Sequence, residues 1–214
     1  MKLPHLLAKH VLSRQLARPS GFFGRHVMGR LLNRTTSLHN QLILTQLAVQ
    51  PTDRVLEVGF GGASLLEKIT RQASEGFVAG LELSTEMVAN ATTRMDFLVK
   101  AGRLEVRLGK AESLPYPKAH FNKACSVNTV YFWPDLAQCF AEFYRVLRTG
   151  GQLVLGFTAD KDVRAAGLDQ RGFSAYSLEE LTEALVGRGF QPGLLESGSD
   201  ARGTFFALTA ERRG

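Results

Sequence analysis

The segment VLEVGFGGAS, residues 55–64, constrains the fold of this chain more than any other part of the sequence. An apolar run of strand length leads into a glycine-rich turn, and a helical pattern follows. Glycine lets a chain turn tightly and lets a ligand lie against the backbone, while the free amides at a helix start favour a negatively charged group. The segment therefore indicates a ligand-binding turn. The alternative is a purely structural strand-to-helix turn, which also uses glycine.

Apolar runs of strand length alternate with helical segments from Arg54 onward. This alternation predicts repeated βα units and a largely parallel sheet. We expect strands at 54–58, 77–83, 104–108, 123–127 and 152–157, with two further strand-like runs at 193–196 and 204–208. Helices are expected at 63–72, 84–100, 136–148 and 177–188, and Ser84 is the expected N-cap of the second of these.

Positive charge is concentrated at the start of the chain. The net charge is +6, but seven basic residues and no acidic residue precede Asp53, whereas the remainder carries 19 basic and 20 acidic residues. Helical patterns at 1–20 and 24–49, the second interrupted near 33–37, precede Pro51. We therefore divide the chain into an N-terminal helical extension, residues 1–50, and a second unit, residues 51–214.

The basic extension has three interpretations. It is a lid over a site, an amphipathic segment that makes peripheral contact with anionic lipid, or a solvated helical face. We favour the lid, because the hydrophobic spacing of the extension continues directly into the first predicted strand.

The sequence contains no signal for a membrane span or for secretion. No run of roughly 18 uncharged apolar residues occurs, and Pro4, Lys9 and Arg14 interrupt the apolar pieces near the start. Cys125 and Cys139 lie in apolar stretches, away from metal-ligand or disulfide spacings. We expect a soluble, cytoplasmic protein with buried thiols and no metal site.

An acidic residue, Glu82, stands at the end of the second predicted strand, 25 residues after Glu57. An acidic side chain in this position accepts hydrogen bonds from both hydroxyls of a ribose in dinucleotide-binding folds. Together with the glycine turn, Glu82 favours an adenosine-containing cofactor. The alternative is a solvated carboxylate that caps the next helix.

Several ordered motifs resemble those of the class I S-adenosylmethionine-dependent methyltransferases, in particular the small-molecule branch that includes the quinone-biosynthesis C-methyltransferases. The resemblance covers about residues 50–160. It rests on VLEVGFGGAS, on GLELSTEMV at 80–88, on GKAESLPYP at 109–117, on the strand that ends at Asn128, and on RVLRTGGQL at 145–153. It implies an α/β, Rossmann-like, doubly wound, mostly parallel seven-stranded sheet with helices on both faces, preceded by the N-terminal helical extension.

The resemblance also implies a cofactor, S-adenosyl-L-methionine, and a set of residues around it. Glu57, Gly59 and Gly61 would surround the methionine part, Glu82 would hold the ribose, and Ala111 with Glu112 would border the adenine. The full expected cofactor-binding set is Glu57, Gly59, Phe60, Gly61, Glu82, Leu83, Ala111, Glu112 and Asn128. One departure is Lys110, which stands where the family often has Asp and cannot accept a hydrogen bond from the adenine amino group; we assign it no role.

No catalytic residue follows from a motif. Because ligands lie beyond the carboxyl ends of strands in open α/β sheets, Asn128, Tyr131 and Trp133 are candidates for positioning a methyl acceptor. The aromatic candidates have an equally open alternative, which is packing of their loop against the following helix. Among the five histidines, His26 and His39 are candidates because the extension that carries them would close over the acceptor pocket; a surface or packing role is the alternative for both.

The expected activity is transfer of a methyl group to a small-molecule acceptor that is lipid-like or natural-product-like. The sequence does not decide whether the methylated atom is O, N or C. One alternative is a non-catalytic S-adenosylmethionine-binding protein. Another is a nicotinamide-dependent oxidoreductase, although Ser64 occupies the position of its third glycine. No nucleic-acid substrate is expected, because residues 128–131 read Asn-Thr-Val-Tyr instead of the Asn/Asp-Pro-Pro-aromatic tetrad. The oligomeric state stays open.

Overall fold

Seven strands form one sheet in the computed structural model, which describes residues 37–200 and 203–214, apart from the side chains of residues 37 and 171. The predicted helix at 1–20, residues 33–36 of the expected interruption and the candidate His26 lie outside the described residues. The lid and lipid-contact interpretations of the extension therefore stay predictions.

Helices and strands alternate along most of the described chain. In order they are α1 (Ser37–Leu47), β1 (Arg54–Val58), α2 (Ser64–Gln72), β2 (Phe77–Glu82), α3 (Thr85–Arg94), α4 (Asp96–Lys100), β3 (Leu104–Leu108), β4 (Phe121–Val127), α5 (Leu136–Val146), β5 (Leu147–Thr158), α6 (Asp160–Ala165), α7 (Leu178–Val186), β6 (Phe190–Asp200) and β7 (Gly203–Arg212). Two 3-10 turns lie at Val130–Phe132 and Asp169–Arg171.

The strand order in the sheet is β3-β2-β1-β4-β5-β7-β6. The first five strands of this order pair in parallel, and β7 pairs antiparallel with both β5 and β6. Apolar side chains are buried on both faces in two clusters, because helices cover both faces. The predicted Rossmann-like, mostly parallel α/β fold is confirmed. From β1 the chain continues to β2 and β3 on one side of the sheet, and then returns to β4 on the other side of β1. This reversal of strand order places a switch point at the carboxyl ends of β1 and β4.

Helix α1 packs on one face of the sheet. Its side chains Ile43 and Leu47 are buried, and a Cβ on Gly156 of β5 would meet the Ile43 side chain. The Lys123 ammonium, near the start of β4, donates to the Leu47 and Ala48 carbonyls at 2.6 and 2.7 Å. Since His39 at the other end of α1 contacts Asn128 just after β4, the helix runs antiparallel to the strand. Whether the chain divides at residue 50 stays a prediction.

The predicted elements differ from the observed ones mainly at their boundaries. The helix expected at 84–100 is two helices, because Met95 leaves helical geometry at φ −112° and ψ 25° while its side chain is buried. Ser84 does cap the first of them, accepting from the Met87 amide at 3.3 Å. Helix α5 ends at Val146 and β5 begins at Leu147, since Leu147 pairs with Phe121 of β4.

The last two strands are longer than expected, and helix α6 had no signal in the pattern. Strands β6 and β7 form an antiparallel hairpin whose pairing extends well beyond the apolar runs at 193–196 and 204–208.

Both cysteines are buried and unpaired. Within residues 37–200 and 203–214, no helix has the length and apolar character needed to cross a membrane.

Candidate functional site

A cavity of about 350 Å³ lies at the carboxyl ends of β1, β2 and β4, where the switch point of the sheet was expected to hold a ligand. This volume lies within the range for small-molecule sites. All the residues expected to surround the cofactor line this one cavity: Glu57, Gly59, Phe60, Gly61, Glu82, Leu83, Ala111, Glu112 and Asn128. Residues from four separate segments, up to 71 positions apart in sequence, therefore face the same space.

The glycine turn after β1 requires glycine at Gly59. Its φ is +77°, and a Cβ there would collide with the Thr129 side chain that follows β4. The Gly59 amide donates to the Leu81 carbonyl at 2.7 Å, which ties the turn to β2. Since only glycine fits this conformation and this close approach, the backbone itself forms one wall of the cavity.

Glu82 fastens the glycine turn to the end of β2. Its carboxylate accepts hydrogen bonds from the backbone amides of Gly61, Leu83 and Ser84 at 2.9, 2.8 and 3.0 Å. Burial raises the pKa of Glu82, and these three hydrogen bonds oppose the rise. A carboxylate offers about four lone-pair sites, so acceptor capacity remains for a ligand. Glu82 was expected to meet a ribose; its role in holding the glycine turn was missed.

Glu57 presents a buried acceptor without a partner. Its side chain is buried at the end of β1, and no described residue donates a hydrogen bond to Oε2. Burial, together with the nearby Glu82 carboxylate, raises the pKa of Glu57 to about 8. A pKa raised in this way favours the protonated carboxyl at neutral pH. A ligand with a positive charge would compensate its charged form.

The loop after β3 closes the cavity on the side of β2. Ala111 is buried there, whereas Lys110 lines the same wall with an exposed side chain. The Gln138 amide donates to the Glu112 carbonyl at 3.2 Å and connects this loop to α5. Lys110, which was assigned no role from its motif, therefore places a positive charge at the border of the cavity.

The Asn128 amide is held from several directions. The backbone of Asn128 has a φ of +54°, which turns the chain at the end of β4. Its Nδ2 donates to His39 Nδ1 at 2.8 Å, and its Oδ1 accepts from the Tyr131 hydroxyl at 3.0 Å and from Thr158 Oγ1 at 3.4 Å. The side chain that lines the cavity beyond β4 is therefore fixed by partners on α1, β5 and the 3-10 turn.

His39 lies behind Asn128 rather than against the cavity. It is buried, its ring stacks on Phe205 with centroids 4.0 Å apart, and Nε2 lies 3.9 Å from Asp200 Oδ2. Because Nδ1 accepts the hydrogen bond from Asn128, the neutral ring carries its proton on Nε2. This geometry allows His39 to orient Asn128, and His39 is not among the described residues that line this cavity.

The aromatic candidates after β4 separate into two kinds. Trp133 lines the cavity and also packs against Phe140 and Phe143 of α5, and its part in positioning an acceptor stays a prediction. Tyr131 is buried and is not among the described residues that line the cavity, but its hydroxyl donates to Asn128, which does line it. Phe132, which was not a candidate, lines the cavity instead.

Asn40 was also missed. It lines the cavity from α1, three residues before Ile43 and seven before Leu47. This helical spacing puts Asn40 on the buried face of α1, and the pattern contained that signal. Across residues 37–200 and 203–214, no group of three or more His, Cys, Asp or Glu side chains is arranged to hold a metal ion.

The cavity fits a cofactor with an adenosine and a charged amino acid end. Gly59 gives the close backbone approach, Glu82 offers acceptor sites for ribose hydroxyls, and the unpartnered Glu57 Oε2 offers an acceptor for a cation. The fold and the site together define a Rossmann-like enzyme domain for such a cofactor.

Comparison with known proteins supports this definition. Residues 56–155 match the family model described as a methyltransferase domain. The chain is 26% identical over 129 residues to the uncharacterized methyltransferase YdaC of Bacillus subtilis, covering 60% of this chain and 69% of that protein. It is 27% identical over 188 residues to the 27-O-demethylrifamycin SV methyltransferase of Amycolatopsis mediterranei, covering 83% and 68%.

Two further comparisons are with a quinone-biosynthesis methyltransferase and with a solved structure of similar fold. The ubiquinone/menaquinone biosynthesis C-methyltransferase UbiE of Geotalea daltonii is 29% identical over 106 residues, or 49% of this chain and 45% of that protein. The solved structure of geranyl diphosphate methyltransferase in complex with S-adenosylmethionine superposes with a TM-score of 0.70 at 18% identity, covering 92% of this chain and 93% of that chain. The curated matches thus span from less than half to about two thirds of those relatives' own lengths.

Residues 56–155 carry a methyltransferase domain like that of the class I S-adenosylmethionine-dependent enzymes, and S-adenosylmethionine is its cofactor. The resemblance noted from the sequence motifs is confirmed. The nicotinamide-dependent alternative has no support among these relatives.

Proposed function

We propose that this enzyme transfers the methyl group of S-adenosylmethionine to a small-molecule acceptor that enters beyond the carboxyl end of β4. The observation that carries the proposal is the convergence of the expected cofactor residues on one cavity at the switch point of the sheet. The proposal also draws on relatives named for small-molecule methylation, which include the rifamycin and quinone-biosynthesis enzymes.

The proposed orientation of the cofactor follows the strand order. The amino acid end would lie at the glycine turn beside Glu57, the ribose at Glu82, and the adenine between Leu83 and the loop that carries Ala111 and Glu112. Two properties of the cavity support this order. The end of β1 carries the close backbone approach and an unpartnered buried acceptor, and the wall after β3 combines apolar surface with backbone polar groups.

The acceptor would meet the wall formed by Asn128, Phe132 and Trp133. Aromatic surface favours an apolar acceptor, and one fixed amide is suited to orienting a single polar group on it. Asn128 is suited to this task because its partners on three elements hold its side chain in place.

The chemistry demands little of the protein. When bound, S-adenosylmethionine supplies an electrophilic methyl group on a sulfonium sulfur. The residues of the chain therefore have to align the acceptor and exclude water, and no protein nucleophile is needed. Among the described residues, no histidine lines the cavity, so the titratable groups at hand are Glu57, Glu82, Lys110 and Glu112.

Cofactor binding is tested by calorimetric titration with S-adenosylmethionine, S-adenosylhomocysteine and NADH. We expect micromolar binding of the first two, weaker binding of both by Glu82→Gln, and no heat with NADH. The matched control is Glu179→Gln, since Glu179 is exposed on α7. Binding of NADH with silence for the other two ligands would overturn the cofactor assignment.

The acceptor class is tested by measuring S-adenosylhomocysteine formed with each of four acceptor sets. These are hydroquinones and phenols, hydroxylated natural products, isoprenoid diphosphates, and nucleic acid. We expect turnover with at least one small-molecule set and none with nucleic acid. Turnover confined to RNA or DNA contradicts the proposal even if the cofactor binds as expected.

A further inference from the structure

Asn40 of α1 places a buried amide against the cavity. Its side chain is 6% exposed and lines the cavity, yet it makes no hydrogen bond to any residue in the ranges that the structure describes. A side chain amide offers two N–H donors and one carbonyl acceptor to a ligand that enters the cavity. An amide in this position is thus available to a ligand.

The position of Asn40 is set by the direction of α1. The carboxyl end of the helix is held at the start of β4 by Lys123, and His39 meets Asn128 just beyond the end of β4. Asn40, next to His39, therefore lies at the carboxyl ends of the central strands. Gly59 and Glu57 border the same part of the sheet, because β1 is the parallel neighbour of β4.

The charges along the cavity wall indicate which group of the cofactor lies nearest to Asn40. The amino acid end of S-adenosylmethionine carries an ammonium and a carboxylate. Glu57 offers an unpartnered acceptor, which suits the ammonium. Among the described residues of the cavity wall, the only cationic side chain is Lys110, which follows β3. Since β3 is three strands from β4 and strands lie roughly 4.8 Å apart, Lys110 is roughly 14 Å from the end of β4.

From these observations we propose that the Asn40 side chain amide donates a hydrogen bond to the α-carboxylate of the cofactor. The inference rests on the cofactor orientation proposed above. It extends the binding site to α1, which precedes the matched methyltransferase domain at 56–155. A neutral amide binds a carboxylate without adding a second cation beside the sulfonium, and a hydrogen bond to a charged group is stronger than one between neutral groups.

The test compares two ligands that differ at the amino acid end. S-Adenosylhomocysteine has the α-carboxylate, and 5′-methylthioadenosine keeps the adenosine and the sulfur but lacks that carboxylate. With calorimetry, we expect Asn40→Ala to weaken S-adenosylhomocysteine binding about tenfold and to leave 5′-methylthioadenosine binding unchanged. Asn40→Asp, which has the same shape, is expected to weaken S-adenosylhomocysteine binding further because two carboxylates would repel.

The matched control is Gln41→Ala, which removes an exposed amide from the same helix. Thermal unfolding of each variant checks that α1 stays folded. Equal weakening of both ligands, unchanged S-adenosylhomocysteine binding, or tighter binding by Asn40→Asp would overturn the proposal for Asn40. Failure of the unaltered enzyme to bind S-adenosylhomocysteine would instead refute the proposed cofactor site itself.

Discussion

The Nδ2 atom of Asn128 lies 2.8 Å from Nδ1 of His39, across 89 positions of sequence. A helix that precedes the first strand thus fixes the side chain at the end of β4. Through this contact, the segment before the matched methyltransferase domain takes part in shaping the wall of the cavity.

The first prediction concerns His39. We expect His39→Ala to leave the Asn128 amide without its partner, at a cost of about 1–3 kcal/mol in the free energy of unfolding. We also expect a loss of about tenfold in kcat with S-adenosylhomocysteine affinity nearly kept, because Asn128 would face the acceptor. His39→Gln, which can accept the same hydrogen bond, should recover part of kcat.

The control for His39 is His120→Ala at the opposite end of β4. His120 packs against Phe121 and Tyr116, so stability is expected to fall without a specific effect on kcat. If His39→Ala and His120→Ala lose similar free energy of unfolding and also lower kcat equally, His39 has no specific role in orienting Asn128.

The second prediction concerns the pH dependence caused by Glu57. Its pKa in the folded protein is about 8, against an ordinary value of 4.5. Between these values the unfolded chain releases a proton that the folded chain keeps, so the free energy of unfolding falls as pH rises from about 4.5 to 8. The slope from this group reaches at most about 1.4 kcal/mol per pH unit.

Glu57→Gln removes this contribution. Urea unfolding across that pH range should therefore show a steeper loss of stability in the unaltered protein than in the variant, with the two curves levelling above about pH 8. Calorimetry at neutral pH in buffers of different ionisation enthalpy should also show proton release when the cationic cofactor binds. Parallel stability curves would mean that Glu57 is already ionised in the folded protein.

The third prediction concerns Gly59. A Cβ at this position meets both a positive φ and the Thr129 side chain. We expect Gly59→Ala to lower the free energy of unfolding by about 2–4 kcal/mol and to abolish cofactor binding. Gly102→Ala is the matched control, because Gly102 has a φ of +69° with no atom near its Cβ position, and it should lose only about 1 kcal/mol.

A double variant separates the two effects at Gly59. Adding Thr129→Ser to Gly59→Ala removes the methyl group and keeps the hydroxyl that bonds Ser126. Part of the lost stability should return. No recovery would place the whole effect in the backbone conformation.

The fourth prediction concerns the attachment of α1 by Lys123. The Lys123 ammonium bonds two carbonyls at the end of α1 and lies 3.0 Å from Asp53 Oδ2, with both side chains largely buried. Lys123→Met leaves that carboxylate and those carbonyls without their cation, so we expect a loss of about 2–4 kcal/mol. In this variant, the rate of amide hydrogen exchange should increase more in α1 than in β4.

Lys100→Met is the control for Lys123, because the Lys100 pair with Asp96 is exposed to solvent on both sides. An exposed pair of this kind contributes about 0–1 kcal/mol. Similar losses in the two variants would show that Lys123 does not hold α1 to the sheet.

Most of the order of elements, and one half of the cavity, follow from local patterns in the sequence. Glycine at Gly59 and acidic residues at the strand ends are local requirements of a strand-turn-helix unit, and a local requirement is visible in a short stretch of sequence. The alternation of apolar and helical patterns likewise determined the parallel sheet, because each strand has to be buried on both faces.

The distant side chains that complete the site become apparent once the packed structure is known. Asn40 and His39 come from a helix whose pattern shows a buried face but not the strands that it covers. The Glu82 hydrogen bond to Gly61 and the place of Phe132 in the wall likewise depend on the packing of separate segments. Contacts between segments far apart in sequence depend on strand order and helix direction, and these emerge only when the whole core packs.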